Sequence, residues 1–499
     1  MSVVSPPRSS LPPLVAEPEH AEREPAPARR RDPDRRFRRA LIAVAAIAVG
    51  LRVLALFAYW PAFLGYPDTA FYVAAANEGA FADPFRPGGY PELLSALHWS
   101  GITGTVLVQH LLGLATGALM FLVVRRIGGS RWVALFPAAA VGLCGSQVMI
   151  EHALLSESVF AFLVAAAVYA CVRALDDGFG WIVAAGLLIG AAAPIRLVAL
   201  SLIPVLALWM ALAMPRRRVL SGLVLAATAA AIPLAWSAGN EAETGQFGLT
   251  RTGGYNLYGR VGPFADCDRF DPPAGTRMLC PKAPVERRRS TYFFIFVYAS
   301  PAVWNFGHPQ GYPEPTDRDV TKLRRFARAA IVAQPLDYAR TVAKDSFRYI
   351  APSWWAPPPN DANQTPEELN AYYTAPGWSR TALYKVRGYY DPDTKLTEHT
   401  FLLDALRWYE RVTRFSGVAF LLILLAALAA PFVLRGRARA GAALLLATGL
   451  TLLLVPAATI FYDYRFAIPA LGSLTAAAAL GMPGLHRNLG RLRRLRSAT

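Results

Sequence analysis

Asp68 in the stretch YPDTAFY, Glu151, His152 and Glu157 in IEHALLSESVF, Arg196 in APIRLVAL, and Tyr462, Asp463 and Arg465 in FYDYRFAIPA all lie at the ends of long apolar runs. Such a set suits one kind of chemistry: a guanidinium binds a phosphate in bidentate fashion, and a carboxylate takes the proton of a hydroxyl nucleophile. Arg52 joins them from inside the first run, because a charge at the centre of a span costs roughly 2.5–3.5 kcal/mol and marks a functional candidate. Arg86 and Tyr90 belong to the turn RPGGYP, whose glycines and prolines fix unusual backbone angles and would shape a wall of the same cavity.

Each group also has a structural reading. Asp68 is a good N-cap for a helix beginning at Thr69. Arg52 can snorkel outward or pair with an acid, Glu151 and His152 can pair at the interface, and Asp463 with Arg465 can anchor the last span. A metal held by Glu151, His152 and Glu157 is the weakest of these readings, since their spacing matches no zinc motif.

The elements that must position these residues are helical and membrane-spanning. Apolar runs near the length of a bilayer crossing fall at about residues 40–60, 103–124, 132–149, 157–174, 180–195, 198–214, 219–238, 415–434, 441–460 and 466–484. The fifth and sixth, separated by Pro194-Ile195-Arg196, form either two spans or one bent pair. The expected fold is an all-α polytopic membrane protein of about ten transmembrane helices. Its parts are a disordered basic cytosolic tail (1–39), a bundle of seven spans (40–238) with an outer loop at 61–102, an extracytoplasmic domain (239–414), three more spans (415–484) and a basic tail (485–499).

The charge supports that layout. A formal charge of +17 invites a nucleic-acid partner. Yet 24 of the 51 Lys and Arg residues sit in the two tails and the short connections that face inward when the amino terminus is cytosolic, whereas residues 239–414 hold 23 basic against 19 acidic groups. This is the positive-inside pattern; it reports topology, with both termini cytosolic, and no nucleic acid is implied. Within the outer segment, Thr316 and Asp319 read as a capping box opening an amphipathic helix, a second helix follows from Pro335, and a third runs from Thr397 into the eighth span. Cys267 and Cys280 lie outside, where disulfides persist, and are expected to be bonded. Cys144 and Cys171 are core residues. Asn363-Gln364-Thr365 is a glycosylation sequon.

These residues resemble the GT-C superfamily of integral-membrane glycosyltransferases, which take sugars from polyprenyl-phosphate carriers and include protein O-mannosyltransferases and lipid A aminoarabinose transferases. The likeness rests on the early outer-loop acid at Asp68, the Arg86–Pro91 turn, the second acidic element at Leu155-Ser156-Glu157, the arginine after a proline at Arg196, and Asp463–Pro469. The Ala- and Arg-rich composition suits an actinobacterial source. Two departures matter. Thr69 follows Asp68 where some members have a second acid, so their paired-acid metal site is absent and a divalent ion stays an open question. The large outer segment precedes three spans, whereas the nearest relatives carry a carboxy-terminal soluble domain.

The resemblance implies an inverting transfer at the outer face of the plasma membrane, from a polyprenyl-phosphate sugar to an acceptor glycan, lipid or protein. Asp68 would be the general base, and Arg196 with Arg52 or Arg465 would face the phosphate. The stretch PSWWAPPP would help to cover the acceptor. A transporter or lipid flippase is the alternative, and a non-catalytic scaffold a third reading.

Overall fold

The computed structural model describes residue 1 and residues 33–307, 316–351 and 365–496, with side chains of the last helix described to Gly484. Most of the amino-terminal tail, the PSWWAPPP stretch and the first two residues of the sequon lie outside the described residues.

The chain enters the bundle as α1 (Pro33–Ala58) and leaves it through β1 (Tyr59–Trp60). The first loop carries α2 (Pro67–Glu78) and α3 (Gly89–Ala96). Then follow α4 (Gly101–Ile127), α5 (Arg131–Leu143), α6 (Gly145–His152), α7 (Glu157–Asp177), α8 (Gly180–Ala192), α9 (Ala199–Ala213) and α10 (Arg218–Thr244). Residues 239–414 hold, after the end of α10, α11 (Gly253–Val261), α12 (Thr291–Phe296), α13 (Pro301–Phe306), α14 (Asp317–Ala333), α15 (Pro335–Arg348), α16 (Pro366–Tyr372), α17 (Pro376–Tyr389), β2 (Thr397–Glu398) and α18 (Thr400–Thr413). The bundle is completed by α19 (Gly417–Val433), α20 (Gly436–Thr459) and α21 (Leu471–Arg496).

Each of the ten apolar runs falls on a helix or a helix pair. Among the described residues, five helices are long and apolar enough to cross a bilayer, or seven if α5–α6 and α18–α19, bent by 48° and 44°, are each one broken span. At 1.5 Å per residue α8 and α9 reach only about 20 and 22 Å, short of a hydrocarbon core of about 30 Å. The third outer helix does not run unbroken into the bundle: α18 ends at Thr413, and Gly417, with φ of 57°, opens α19 in a new direction.

Residues 239–414 have two allegiances. Tyr255, Tyr258, Phe294, Leu323, Phe326 and Ala330 form a core of their own from α11, α12 and α14. Leu369, Tyr373, Ala382, Val386, Leu403 and Leu406, from α16 to α18, instead join the core of the bundle. Thr316 caps α14 by accepting from the Asp319 amide, while the reciprocal capping box is made at Thr365 and Glu368, on α16. Cys267 and Cys280 are disulfide-bonded.

Three short contacts hold the first loop in place. β1 pairs antiparallel with β2, Tyr59 opposite Glu398 and Trp60 opposite Thr397. The Phe63 amide donates to the His152 carbonyl at 3.0 Å, which ties the loop to the end of α6. The Gly89 amide donates to the Pro194 carbonyl at 2.9 Å, and a Cβ at Gly89 would lie 2.6 Å from that oxygen. Only glycine allows so close an approach, so the RPGGYP turn presses on the α8–α9 link that carries Arg196.

Candidate functional site

Asp68 stands in the first turn of α2, which starts at Pro67, with Tyr66 as its N-cap. The capping role expected at Thr69 is therefore not taken, and the carboxylate is free for longer-range partners. Proline is tolerated at that first position because its missing amide hydrogen would have had no helical acceptor. Asp68 is buried, and two arginines hold it. Its Oδ1 accepts from Arg86 Nε at 2.7 Å and Nη2 at 2.6 Å, and its Oδ2 accepts from Arg465 Nη1 at 2.6 Å. Asp83 orients Arg86 from behind: Oδ2 accepts from Arg86 Nη1 at 2.9 Å, and Oδ1 accepts the amides of Phe85 and Arg86.

Arg465 is the hub. Beyond Asp68, its Nε donates to Asp463 Oδ2 at 2.6 Å, and Nη1 lies 3.3 Å from Glu157 Oε1. Its guanidinium lies 4.5 Å from the centre of the Tyr66 ring, and the Tyr66 hydroxyl donates to Asp463 Oδ2 at 3.2 Å. Arg196 pairs with Glu157 Oε1 and donates to Ser156 Oγ at 3.2 Å. Four carboxylates (Asp68, Asp83, Glu157, Asp463) thus meet three guanidiniums, and buried charges persist only when paired in this way.

The electrostatics follow from this wiring. Burial alone would raise the Asp68 carboxyl, but the Arg86 and Arg465 guanidiniums outweigh it and hold the group well below the usual carboxylate range. Asp463 moves the other way, pushed up by burial against the opposing pull of Arg465.

Asp68, Arg86, Arg196 and Arg465 line one cavity of about 160 Å³, with Tyr72, Asn256 and a wall of Phe85, Ile195, Phe296, Phe461 and Phe466. Leu197 also lines a neighbouring apolar groove of about 350 Å³ between α9 and α10, with Leu200, Ile203, Pro233 and Leu234. The mouth of a polar site thus opens beside an oily channel.

The other candidate residues are placed elsewhere. Arg52 does not line the cavity. It is buried in the bundle, where Nε and Nη2 donate to Glu151 Oε2 and Oε1 at 3.0 and 2.9 Å and Nη1 donates to the Ala48 and Gly142 carbonyls. His110 Nδ1 lies 3.1 Å from Glu151 Oε2, and His110 Nε2 lies 3.2 Å from His152 Nδ1. Tyr90 is buried, donating to Gln109 Oε1 at 2.7 Å and packing on Tyr72, and Tyr462 is buried against Tyr349. Both support the site without facing the cavity. Tyr66, Tyr72 and the phenylalanine wall also stand at the site without having been singled out from the sequence, and Asp83, a scaffold residue by sequence, orients Arg86 there. Only Asp83-Pro84, a turn-forming pair just before Arg86, gave any signal.

A divalent ion does not fit this arrangement. Glu151 and His152 belong to the Arg52 cluster and Glu157 to the Arg465 cluster, so the three expected ligands do not converge. Asp68, Glu157 and Asp463 do converge, but on the guanidinium of Arg465, which occupies the centre an ion would need. Among the described residues no group of three His, Cys, Asp or Glu side chains could hold a metal.

No family model matches the chain, and no curated protein matches it. Among solved structures it is similar to the oligosaccharyltransferase AglB from Archaeoglobus fulgidus, in complex with an inhibitory peptide and a dolichol-phosphate, at 13% identity and a TM-score of 0.43. That match covers 91% of this chain and 52% of the archaeal one, so the present chain spans about half the length of that protein. It is also similar to ArnT from Cupriavidus metallidurans bound to undecaprenyl phosphate, at 15% identity and a TM-score of 0.34, covering 89% of this chain and 78% of the other. At these scores the two likenesses assign no function, and the site must be read from its own chemistry.

Proposed function

We propose that this chain is an integral-membrane glycosyltransferase that moves a sugar from a polyprenyl-phosphate donor to a hydroxyl of a cell-envelope acceptor, with inversion, at the outer face of the plasma membrane. The observation that carries the reading is Asp68, clamped between Arg86 and Arg465 in a cavity that also presents Arg196 and adjoins the apolar α9–α10 groove. An anionic phosphate suits the arginines, and an isoprenoid tail suits the groove. The positive-inside pattern supports the outward orientation, with both termini cytosolic.

As it stands, Asp68 is a poor base, because both oxygens already accept charged hydrogen bonds. The donor resolves this. Its phosphate competes for Arg196 and for one of the two clamping guanidiniums, and Asp68 regains a free lone pair and its basicity together. The acceptor oxygen then gives its proton to Asp68 and attacks the anomeric carbon from the face opposite the phosphate. The bond from that carbon to the phosphate oxygen breaks, and its electron pair leaves on the phosphate. Arg196 and Arg465 stabilise the charge that develops there, the part of the work that preorganised donors do best. Asp68 ends protonated, and departure of the polyprenyl phosphate restores the clamp and drives the proton off. No metal ion takes part in this scheme.

The test is transfer from a radiolabelled polyprenyl-phosphate sugar by purified protein. Asp68→Asn should abolish it while donor binding persists, and full activity in that variant ends the proposal. The buried Arg52–Glu151–His110–His152 cluster favours a second reading, a proton-coupled transporter. Movement of substrate into sealed vesicles without a new glycosidic bond would select it.

A further inference from the structure

The outer segment holds a second concave site. A cleft of about 550 Å³ opens between α12, α13 and the end of the disulfide loop; its lining includes Lys282, Arg287, Arg288, Arg289 and Trp304 and, among the described residues, no acidic side chain. The four cations have different duties. Arg288 is structural, donating from Nε to the Ala283 carbonyl at 2.7 Å and from Nη1 to the Ala265 carbonyl at 2.8 Å. Lys282, Arg287 and Arg289 are exposed, and among the described residues none of the three forms an ion pair. Arg289 is held by its stack on Phe293, 5.2 Å from the ring centre. Trp304 is 63% exposed, and its ring is braced edge-on by Tyr298 at 5.0 Å.

A braced, exposed indole is a flat apolar platform of the kind that packs against the C–H face of a sugar ring. Cations grouped around it, with no acid among the described lining residues although Glu286 lies beside Arg287 in sequence, suit carboxylate or phosphate substituents on that ring. A neutral glycan would leave the charges unused, and a flat acidic membrane would not need the concavity. The position matters too. α12 is only six residues, about 9 Å long. Phe293 and Phe294 line the cleft while Phe296 lines the cavity of Asp68. One short helix therefore separates the two sites, and a chain bound in the cleft lies within a few sugar units of the reacting hydroxyl.

We infer that this cleft binds an acidic saccharide segment of the acceptor. The inference rests on the glycosyl-transfer reading and specifies its acceptor: a glycan bearing carboxylate or phosphate groups.

The test uses the full chain in detergent or nanodiscs and a fluorescent oligogalacturonate, with maltooligosaccharide of equal length, polyacrylate and phosphatidylglycerol vesicles as competitors. Oligogalacturonate should bind at least about tenfold more tightly than the neutral sugar. Trp304→Ala and the double change Arg287→Ser with Arg289→Ser should each weaken it about tenfold, while polyprenyl-phosphate binding stays at the wild-type level. These side chains lie at the surface, so unchanged donor binding also reports an intact fold. Equal binding of the neutral sugar, polyacrylate competition unaffected by Trp304→Ala, full displacement by the acidic vesicles, or wild-type affinity in the variants would each overturn the inference. Saccharide binding in a protein that performs no transfer would leave the cleft standing and remove the glycosyltransferase; transfer without saccharide binding would do the reverse.

Discussion

Arg465 Nη1 lies 2.6 Å from Asp68 Oδ2, joining the first outer loop to the last one across 397 residues of sequence. The same side chain reaches Asp463 and Glu157, so one guanidinium holds three buried carboxylates apart from one another and from water.

Removing that guanidinium should be costly. Arg465→Ala leaves three carboxylates with a partner lost, and breaking a buried pair costs about 3–5 kcal/mol. A marked fall in thermal midpoint is expected, together with loss of transfer. Arg465→Lys should recover much of the stability and little of the activity, because an ammonium cannot span Asp68 and Asp463 with the geometry of a planar fork. Equal activity in the lysine variant would show that charge alone suffices.

Asp68→Asn should do more than stop transfer, by at least about a hundredfold if proton removal is its role. It also removes the anion that competes with the donor phosphate for Arg86 and Arg465. Donor affinity, measured by titration with polyprenyl phosphate, should therefore rise; a fall would mean that Asp68 helps to hold the donor.

The acid stability of the protein should report the same clamp. A carboxyl whose folded-state pKa is depressed stabilises the fold above its unfolded value, about 4, and that contribution fades as the pH falls toward the lower folded value. Thermal midpoints measured from pH 6 downward should drop faster below about pH 4 in wild type than in Asp68→Asn. Asp463 has the opposite sign: raised by burial, it favours the fold below its unfolded pKa and loses that contribution as the pH climbs through its folded value.

Gly89→Val would drive a side chain into the Pro194 carbonyl. Overpacking of this kind costs about 1–3 kcal/mol, and the turn must move away from the α8–α9 link. Weaker donor binding through a displaced Arg196 is expected, with Arg196→Ala as the reference phenotype. Undisturbed binding in Gly89→Val would separate the turn from the site.

The Arg52–Glu151 pair does not line the cavity, and a single change there should unfold more than it inactivates. Arg52→Met or Glu151→Leu alone strands a charge in the bundle, whereas the double change removes both. Stability should recover in the double variant, as buried pairs replaced by apolar residues often allow, and transfer should recover with it.

Much of this was legible in the sequence, for a simple reason: in a chain so apolar, each charge at a span end is conspicuous. Asp68, Glu157, Arg196, Asp463 and Arg465 were found that way, and the structure brings all five together. What the sequence hid was partnership. Nothing near Arg52 announces that its acid is Glu151, 99 positions away; of its two readings, beside the phosphate or paired with an acid, the structure shows the pair. The local rules that make Asp68 a candidate cap see a helix start but not the arginines that claim the carboxylate. Within residues 239–414 the division between two hydrophobic cores is set by packing that no local pattern records.

The two-residue pairing of β1 with β2 has a consequence in biosynthesis. Trp60 leaves the bundle early, but its strand partner Thr397 emerges only after most of the chain has been made. Until then the loop that carries Asp68 has its contacts to His152 and Pro194 but lacks the strand pairing at its base, and until Arg465 follows, its carboxylate lacks one half of the clamp. The site around Asp68 is therefore completed late in synthesis, when Arg465 joins Arg86 on its carboxylate.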